Sequence, residues 1–367
     1  MRVIVSGGGT GGHIFPAISI ANALKEADPN VDILFVGAKG KMEMEKVPAA
    51  GYKIIGLPVA GFHRKLSLYN ICRNMLFPFK LVASMMKARS VIKEFKPDVA
   101  VGVGGYASGP ILRRAAKSKV PCLILEPNSF PGVTNKILAK DVNTICVGYP
   151  HMDRFFPIEK IKITGSPVRQ SLLEHVERAE AANYFGLNPN LPVILVIGGS
   201  LGARSINEGL KASLDDLHDD VQLLWQTGKF YYDSVKQELD TRKRSNVVAM
   251  DFVKRMDFAY ALADIVISRA GAGSISELAL LGKPSILVPS PNVSEDHQTK
   301  NAMSLVEKNA AIMVKDSDTA MLLAESQLVL SKSEQLSQLA HNIKQFANPS
   351  AANDIANEVM NLVRQNG

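Results

Sequence analysis

Residues 3–27 read VIVSGGGTGGHIFPAISIANALKEA, and the pattern of this segment indicates the fold class. The apolar run Val3–Val5 predicts a strand, and the spacing of later apolar residues predicts a helix from about Ile14 to Ala27. A strand, a glycine-rich turn and a helix form the opening unit of a doubly wound α/β domain. Because a helix N-terminus presents N–H groups and the positive end of its dipole, the loop predicts a site for phosphates or sugar hydroxyls.

The same unit starts again after residue 190. Val193–Ile197 is an apolar run, Gly198–Gly202 is a glycine-rich loop, and a helix is expected from near Arg204. Further strands are predicted at Ile33–Val36, Val99–Val103, Cys122–Leu125, Thr144–Val147, Val221–Trp225, Val247–Met250, Ile265–Ser268 and Ser285–Val288. Apolar strands that alternate with helices are typical of parallel sheets covered on both faces. We therefore predict an α/β protein of two Rossmann-like, doubly wound parallel-sheet domains that face each other across a cleft.

Length and composition agree with two globular domains. The chain has 367 residues, of which 46% are hydrophobic and 21% charged, so a disordered or fibrous chain is excluded. Its three cysteines lie far apart without a CxxC pair, which favours a reducing compartment. The sequence shows neither a signal peptide nor an apolar run of about 18 residues that would span a bilayer, so we expect a cytoplasmic protein.

The positive charge belongs to the N-terminal half. Residues 1–160 hold 22 basic and 11 acidic side chains, whereas residues 161–367 hold 20 and 24. Between Lys46 and Lys93 there is no acidic residue, and apolar residues are interleaved with the basic ones. This pattern favours an anionic membrane surface as partner, and the alternative is a core helix with a solvated basic face. The contact is predicted through Arg73, Leu76, Phe77, Phe79 and Lys80. Nucleic acid is not expected, because the sequence has no recognisable zinc-finger or RNA-binding signature.

Four glycine-rich loops follow predicted strands. They are Gly7–Gly12, Gly104–Gly109, Gly198–Gly202 and Gly271–Gly273. One such loop is often a tight turn, but four at strand ends favour a phosphate or sugar ligand.

Two common nucleotide motifs do not fit these loops. Gly7, Gly9 and Gly12 match GxGxxG, but the acid that would bind a dinucleotide ribose is missing after Val36. No GxxxxGK[ST] sequence occurs, which argues against a P-loop nucleotidase.

Three charged or titratable residues are candidates for chemistry. Glu277 lies four residues after Gly273, in the predicted first helical turn, and a carboxylate there can accept both ribose hydroxyls or simply stabilise the helix dipole. Arg169 lies near the expected domain join and can pair with a diphosphate or form a surface ion pair. His13 closes the first glycine loop and can serve as a general base or a helix-capping residue.

Metal chemistry has little support in the sequence. Asp316-Ser317-Asp318 has the DxD form of some metal sites, but its place after a predicted strand and before a helix favours turn and cap chemistry. No Cys and His cluster has zinc-ligand spacing, and we expect no bound metal or cofactor.

Together these segments resemble the MurG family of N-acetylglucosaminyltransferases, which act in bacterial cell-wall synthesis and belong to glycosyltransferase family 28. The matching segments run in order over nearly the whole chain: Gly8–Ala17, Gly102–Pro110, Glu126–Asn128, Thr164–Arg169, Gly198–Ala203, Ser268–Glu277 and Asp296–Ala302.

The resemblance implies the GT-B fold and a specific reaction. GlcNAc would pass from UDP-GlcNAc, with inversion, to the C4 hydroxyl of MurNAc in undecaprenyl-diphospho-MurNAc-pentapeptide, the acceptor lipid, at the cytoplasmic face of the membrane. Residues 1–163 would form the acceptor- and membrane-facing domain, with the C-terminal helix 351–367 packed on it, and residues 164–350 the UDP-GlcNAc domain.

The resemblance also implies a role for each matching residue. His13 would be the catalytic base. Donor binding would fall to Thr10, Gly11, Gly12, Asn128, Arg169, Ser200, Val253, Gly273, Ser274, Glu277, Gln298 and Asn301. Acceptor or phosphate loops would include Gly9, Gly104, Gly105 and Tyr106. Family members differ just before Gln298, where this chain has His297, so the sugar contact at that position stays open.

Three other functions remain as alternatives at this point. A transferase of the same fold that glycosylates diacylglycerol or another lipid would share the donor loops. A dinucleotide-dependent oxidoreductase is suggested by GxGxxG alone. A non-catalytic membrane scaffold would use only the basic segment.

Overall fold

The computed structural model describes residues 1–59, 77–199 and 201–366. It divides into two compact units: unit 1 comprises Met1–Val168 with Asn348–Gly367, and unit 2 comprises Arg169–Ala347. The bounds expected from the sequence differ from this division by a few residues.

Helices and strands alternate along most of the described chain. The strands are β1 (Arg2–Gly7), β2 (Asp32–Ala38), β3 (Lys53–Leu57), β4 (Val99–Gly104), β5 (Cys122–Glu126), β6 (Thr144–Val147), β7 (Ile161–Ile163), β8 (Val193–Ile197), β9 (Gln222–Gln226), β10 (Val247–Met250), β11 (Ile265–Ser268), β12 (Ser285–Leu287) and β13 (Ile312–Met313). The helices are α1 (Gly11–Ala27), α2 (Glu43–Ala49), α3 (Phe77–Phe95), α4 (Ser108–Lys117), α5 (Val133–Leu138), α6 (Arg178–Phe185), α7 (Arg204–Ala212), α8 (Tyr232–Arg242), α9 (Met256–Leu262), α10 (Ala272–Leu281), α11 (His297–Val306), α12 (Leu322–Leu330), α13 (Ser333–Lys344) and α14 (Ala351–Asn366). Short 3-10 helices lie at Met152–Arg154, Ile158–Lys160, Gln170–Leu173, Leu214–Asp216, Ser294–Asp296 and Thr319–Met321.

The described strands of unit 1 form a parallel sheet in the order β3-β2-β1-β4-β5-β6-β7. The chain moves outward from β1 to β2 and β3, and then returns to place β4 on the other side of β1. The loops after β1 and β4 therefore diverge at the topological switch point, where doubly wound sheets bind their ligands.

Helices cover both faces of this sheet. On one face, Ile355 and Val359 of α14 share a buried core with Ile20 and Leu24 of α1. On the other face, α3 and α4 pack over the sheet and bury residues such as Ile111. Because both faces are covered, nearly every residue of the central strands is apolar. These apolar runs are the pattern from which the strands were predicted.

Unit 2 repeats the arrangement with the order β10-β9-β8-β11-β12-β13. Its switch point lies between β8 and β11, which pair in parallel. Trp225 on β9 is fully buried, and its indole N–H donates to Asn207 Oδ1 on α7 at 2.9 Å. The predicted fold class, two Rossmann-like parallel-sheet domains, is confirmed. Within the described residues, no helix is both long and apolar enough to traverse a bilayer.

Candidate active site

The loop between β1 and α1 is the first element of the candidate site. Gly9 has a φ of +86°, which glycine adopts without the steric cost paid by other residues. The carbonyl of Thr10 then accepts the N–H groups of His13 and Ile14 at 3.1 and 3.2 Å. Helix α1 thus begins at Gly11, earlier than predicted, and His13 belongs to its first turn.

Two contacts fix the His13 ring. Its Nδ1 lies 3.0 Å from the carbonyl oxygen of Gly8 and 3.4 Å from Thr10 Oγ1. Gly104, at the end of β4, lies against the ring, because a methyl group added there would be 2.8 Å from His13 Cδ2. The two switch-point loops of unit 1 are therefore in contact at this histidine.

Gly104 and Gly105 have φ values of +100° and +86°. A methyl group on Gly105 would lie 2.4 Å from the carbonyl oxygen of Gly8, so the two loops approach as closely as glycine allows. Tyr106, the next residue, is exposed. The structure thus brings Gly104 and Gly105 next to the His13 loop and leaves Tyr106 at the surface of unit 1.

Asn128 follows β5 and is held by Glu126. The buried Glu126 carboxylate accepts the backbone N–H of Asn128 at 3.1 Å and its side-chain amide at 3.0 Å. It also accepts Gly132 N–H and Asn135 Nδ2, both at 2.9 Å. Glu126 therefore shapes the whole loop that carries Asn128.

Arg169 and Glu277 meet in unit 2. Arg169 Nε and Nη2 donate to Glu277 Oε1 and Oε2 at 2.9 and 3.0 Å. Tyr260, fully buried on α9, donates its hydroxyl to Glu277 Oε2 at 3.0 Å. Burial and the nearby carboxylate raise the pKa of Tyr260 well above its usual value, so the phenol stays a donor.

Glu277 lies in the second turn of α10, one turn later than the sequence analysis placed it. The Glu277 carboxylate is held by Tyr260 of α9 and by Arg169, and not by the N-terminus of α10. Arg169 and Glu277 thus form a bidentate ion pair in which both side chains are largely buried.

The N-terminus of α10 carries Gly273 and Ser274 in its first turn. Asn301 on α11 is fully buried, and its Nδ2 donates to the carbonyl of Ala270 just before this helix, at 3.2 Å. Gln298, also on α11, accepts the backbone N–H of Ser290 through Oε1 at 2.8 Å. The beginning of α11 is thereby tied to the ends of β11 and β12.

Val253 lies in the loop after β10 and is buried. Its N–H donates to Gln226 Oε1 at 2.9 Å, while Gln226 Nε2 donates to the Gly199 carbonyl at 3.2 Å. Gln226 thus links the loops after β8 and β10. Ser200, the predicted diphosphate contact in the β8 loop, lies outside the described residues.

The DxD segment has a structural role. Asp316 accepts Arg269 Nη1 and the hydroxyl of Ser205, both at 2.5 Å. Asp318 occupies the N-cap position of the 3-10 helix Thr319–Met321. Across the described residues, no group of three His, Cys, Asp or Glu side chains could hold a metal ion.

The predicted membrane segment is described only from Phe77 onward. Arg73 and Leu76 lie outside the described residues, whereas Phe77, Phe79 and Lys80 begin α3. Phe79 is 74% exposed, and further along α3 Val82 and Met86 are 59% and 69% exposed. The opposite face buries Ser84, Ala88, Val91 and Ile92. One face of α3 thus packs on the core, and the other exposes apolar and basic side chains.

Sequence reasoning missed four residues that hold the predicted ones. They are Glu43, Glu126, Gln226 and Tyr260. Glu126 and Gln226 are the last residues of strands β5 and β9, where a polar residue after an apolar run could have indicated the switch-point edge. Glu43 lies 34 residues from Gly9, and Tyr260 lies 17 residues from Glu277, and no local pattern marks either residue.

Two family models match the chain. The glycosyltransferase family 28 N-terminal domain matches residues 3–147, and the glycosyltransferase family 28 C-terminal domain matches residues 193–358.

Bacterial relatives are similar over their full length. A protein of Parabacteroides distasonis is 54% identical over 99% of this chain and 98% of its own. One of Bacteroides fragilis (strain ATCC 25285) is 56% identical over 100% of this chain and 96% of its own. Both are named UDP-N-acetylglucosamine–N-acetylmuramyl-(pentapeptide) pyrophosphoryl-undecaprenol N-acetylglucosamine transferase.

Two solved structures have folds similar to that of this chain. Acinetobacter baumannii MurG superposes with a TM-score of 0.76 at 28% identity, over 98% of this chain and 99% of that one. The calicheamicin glycosyltransferase CalG4 has a TM-score of 0.70 at 15% identity, over 99% of this chain and 98% of its own, which shows a shared fold only.

Proposed function

Because the chain belongs to glycosyltransferase family 28, we propose that it transfers GlcNAc from UDP-GlcNAc to the C4 hydroxyl of MurNAc in undecaprenyl-diphospho-MurNAc-pentapeptide. The product is the complete lipid-linked disaccharide-pentapeptide of peptidoglycan synthesis, formed with inversion at C1. The observation that carries this proposal is 54% identity, over 99% of the chain, to a relative named for this transfer.

Unit 2 binds the donor in this proposal. Glu277 accepts the ribose hydroxyls, and its ion pair with Arg169 supports the role because it presets the carboxylate orientation. Arg169 and the α10 N-terminus at Gly273 and Ser274 bind the diphosphate, as the positive end of a helix dipole does. Ser200, which matches a diphosphate contact of the family, adds a hydroxyl.

The uracil contact lies in the loop after β10, and the sugar contacts lie on helix α11. The backbone of Val253 binds the uracil. When the nucleotide binds, the Val253 N–H leaves Gln226 Oε1 and donates to the base instead. Gln298 and Asn301 bind the GlcNAc hydroxyls. This role is supported by their hydrogen bonds to backbone groups that follow β11 and β12, which orient both side chains.

Unit 1 binds the acceptor and supplies the base. Gly9 and the loop Gly104–Tyr106 bind the acceptor or its phosphates, while Thr10, Gly11, Gly12 and Asn128 contact the donor. His13 takes the proton of the C4 hydroxyl as its oxygen attacks C1. The bond from C1 to the diphosphate breaks, and UDP leaves with the electron pair while Arg169 and helix N–H groups stabilise its charge.

The exposed face of α3 brings unit 1 to the cytoplasmic face of the membrane, where the lipid acceptor resides. Phe79, Val82 and Met86 enter the headgroup region, and Lys80 and Lys87 attract anionic lipid. The protein is then a peripheral membrane protein.

Release of UDP from UDP-GlcNAc tests the reaction. It is measured in EDTA with and without a short-chain analogue of the acceptor lipid. We expect release that depends on the acceptor and is unaffected by EDTA. Release at the same rate without acceptor would contradict transfer, and release abolished by EDTA would contradict a metal-independent mechanism.

A further inference from the structure

The carboxylate of Glu43 lies beneath the glycine loop of unit 1 and is completely buried. Its Oε2 accepts the N–H of Gly9, and its Oε1 accepts the N–H of Ala38, both at 2.9 Å. Gly8 and Gly37 leave the space for it: methyl groups added there would lie 2.2 Å from Oε1 and 2.5 Å from Cγ. The Glu43 carboxylate therefore occupies space that side chains at Gly8 and Gly37 would fill.

Each oxygen of the Glu43 carboxylate accepts one backbone N–H group. None of the basic side chains in the described ranges forms an ion pair with Glu43, so backbone N–H groups stabilise it. Such charge-assisted hydrogen bonds are shorter and stronger than neutral ones.

The Gly8–Gly9 peptide group connects Glu43 to His13. Its N–H, on Gly9, donates to Glu43, and its C=O, on Gly8, lies 3.0 Å from His13 Nδ1. A carbonyl oxygen only accepts hydrogen bonds, so Nδ1 carries the proton and the lone pair of neutral His13 is on Nε2. A carboxylate on the N–H increases the negative charge on the carbonyl oxygen, because hydrogen bonds in a chain polarise one another.

We propose that Glu43 is a positioning residue that acts on His13 through the Gly8–Gly9 peptide. It keeps His13 in the Nδ1–H tautomer and so presents Nε2 to the acceptor hydroxyl. This inference rests on the proposed function, in which His13 is the base.

In the reaction, Nε2 takes the hydroxyl proton while the oxygen forms its bond to C1 and UDP leaves with the electron pair of the broken bond. The imidazolium then donates Nδ1–H to a carbonyl that Glu43 has polarised. Gly104 keeps the ring in place, since it lies against Cδ2 and Nε2.

A double-mutant cycle tests the coupling in the full-length protein. Acceptor-dependent UDP release is measured for wild type, Glu43→Gln, His13→Ala and the double variant. We expect kcat to fall roughly tenfold in Glu43→Gln and about 100-fold or more in His13→Ala. Adding Glu43→Gln to His13→Ala should cost little more, because the partner is gone. An equal further loss in the His13→Ala background would overturn the proposal, since Glu43 would then act independently of His13.

The tautomer provides a second readout that needs no activity. The imidazole ¹⁵N signals of His13 are assigned by their absence in His13→Ala and measured at a pH where the ring is neutral. We expect Nδ1–H in wild type and a loss of this preference in Glu43→Gln. An Nε2–H ring in wild type would overturn the proposal even if Glu43→Gln failed to fold.

Asp98→Asn is the matched control. Asp98 Oδ2 accepts the N–H of Arg2 at 2.6 Å, so it is a carboxylate bound to the backbone at the opposite end of β1. This variant should retain the kcat and the His13 tautomer of wild type. A fall in kcat equal to that in Glu43→Gln would show that Glu43 stabilises the fold and does not act on His13.

Failure of the inference and failure of the proposed function give different results. Wild type without acceptor-dependent release contradicts the function, while the tautomer still tests the Glu43 contact. Active wild type with an unaffected Glu43→Gln variant contradicts the inference alone.

Discussion

Tyr260 shows how a single buried hydroxyl can set up a ligand contact. It lies fully buried on α9 and donates to Glu277 Oε2. A carboxylate has about four lone-pair positions, and Arg169 and Tyr260 take positions that fix its plane. Preset orientation lowers the entropy that ribose binding must overcome.

We predict that Tyr260→Phe raises the KM for UDP-GlcNAc about three- to tenfold with little change in kcat, because a typical hydrogen bond contributes about 0.5–1.5 kcal/mol. Initial rates over a range of donor concentrations measure this. Tyr184→Phe is the control, since Tyr184 is half exposed and packs on Phe258 near the same helix. Unchanged KM in Tyr260→Phe would remove Glu277 from the ribose contact.

For single residues, the sequence predicted the side chains that lie in or near a motif. It did not predict the residues that hold them in place. His13, Arg169 and Glu277 stand in or beside glycine-rich segments, which made them candidates. Glu43 lies in the polar segment KMEMEKV, which looks solvent-facing, yet the structure buries it. Only the fold brings its helix beneath the loop, so no local pattern could have predicted the contact.

Strand order decides which loops meet. In unit 1 the strand order along the sheet reverses between β1 and β4, which are parallel, and this brings Gly104 against His13. Gly104 combines a φ of +100° with this close contact, so it is doubly restricted.

Gly104→Ala should therefore lower kcat by about tenfold or more and destabilise the fold by about 1–2 kcal/mol, since the residue has positive φ and its methyl group would displace the catalytic ring. Kinetics and urea unfolding measure the two effects. Gly109→Ala, where the new methyl group meets only Thr134 Cγ2 at 3.6 Å, should be near wild type in both. Full activity in Gly104→Ala would show that the ring position does not matter.

Lys283 gives a pH dependence to the segment between α10 and β12. Burial lowers its pKa to about 8, against the opposing effect of Asp264, and its Nζ donates to the Ala263 carbonyl at 2.8 Å. The unfolded side chain has a pKa of about 10.4, so between about pH 8 and 10.4 the unfolded state binds more protons and stability rises with pH. The free energy of unfolding of wild type minus that of Lys283→Met should therefore increase from pH 7 to 10. A constant difference over this range would contradict the shift.

At the element scale, the buried central strands were predicted well, whereas β3 and β7 were missed. These two strands occupy the outer edges of the sheet in unit 1. Their sequences, KIIGL and IKI, are short and include a lysine, and their burial is incomplete. An edge strand shows neither the continuous apolar run of a buried strand nor a long alternation, so periodicity gave no signal.

Over the whole molecule, charge and exposed apolar surface coincide in unit 1. The excess of basic residues lies in residues 1–160, and α3 displays Phe79, Val82 and Met86 on its outer face. Both features favour adsorption to an anionic bilayer.

Replacing Phe79 and Met86 together by Ser should weaken binding to phosphatidylglycerol vesicles by about tenfold or more, because each buried large apolar side chain contributes about 1.5–3 kcal/mol. Vesicle sedimentation measures it, and kcat with a short-chain acceptor should be unchanged. Ile158→Ser, at an apolar residue of unit 1 that is 73% exposed, is the control. An equal loss of vesicle binding in both variants would contradict a specific membrane contact through α3.

The choice between two acceptors tests the transfer of GlcNAc to the MurNAc lipid. The protein is incubated with UDP-GlcNAc and equal amounts of diacylglycerol and short-chain lipid-linked MurNAc-pentapeptide, and the products are identified by mass spectrometry and NMR. We predict a single product in which GlcNAc is β-1,4-linked to MurNAc. GlcNAc on diacylglycerol, or free GlcNAc alone, would contradict the account.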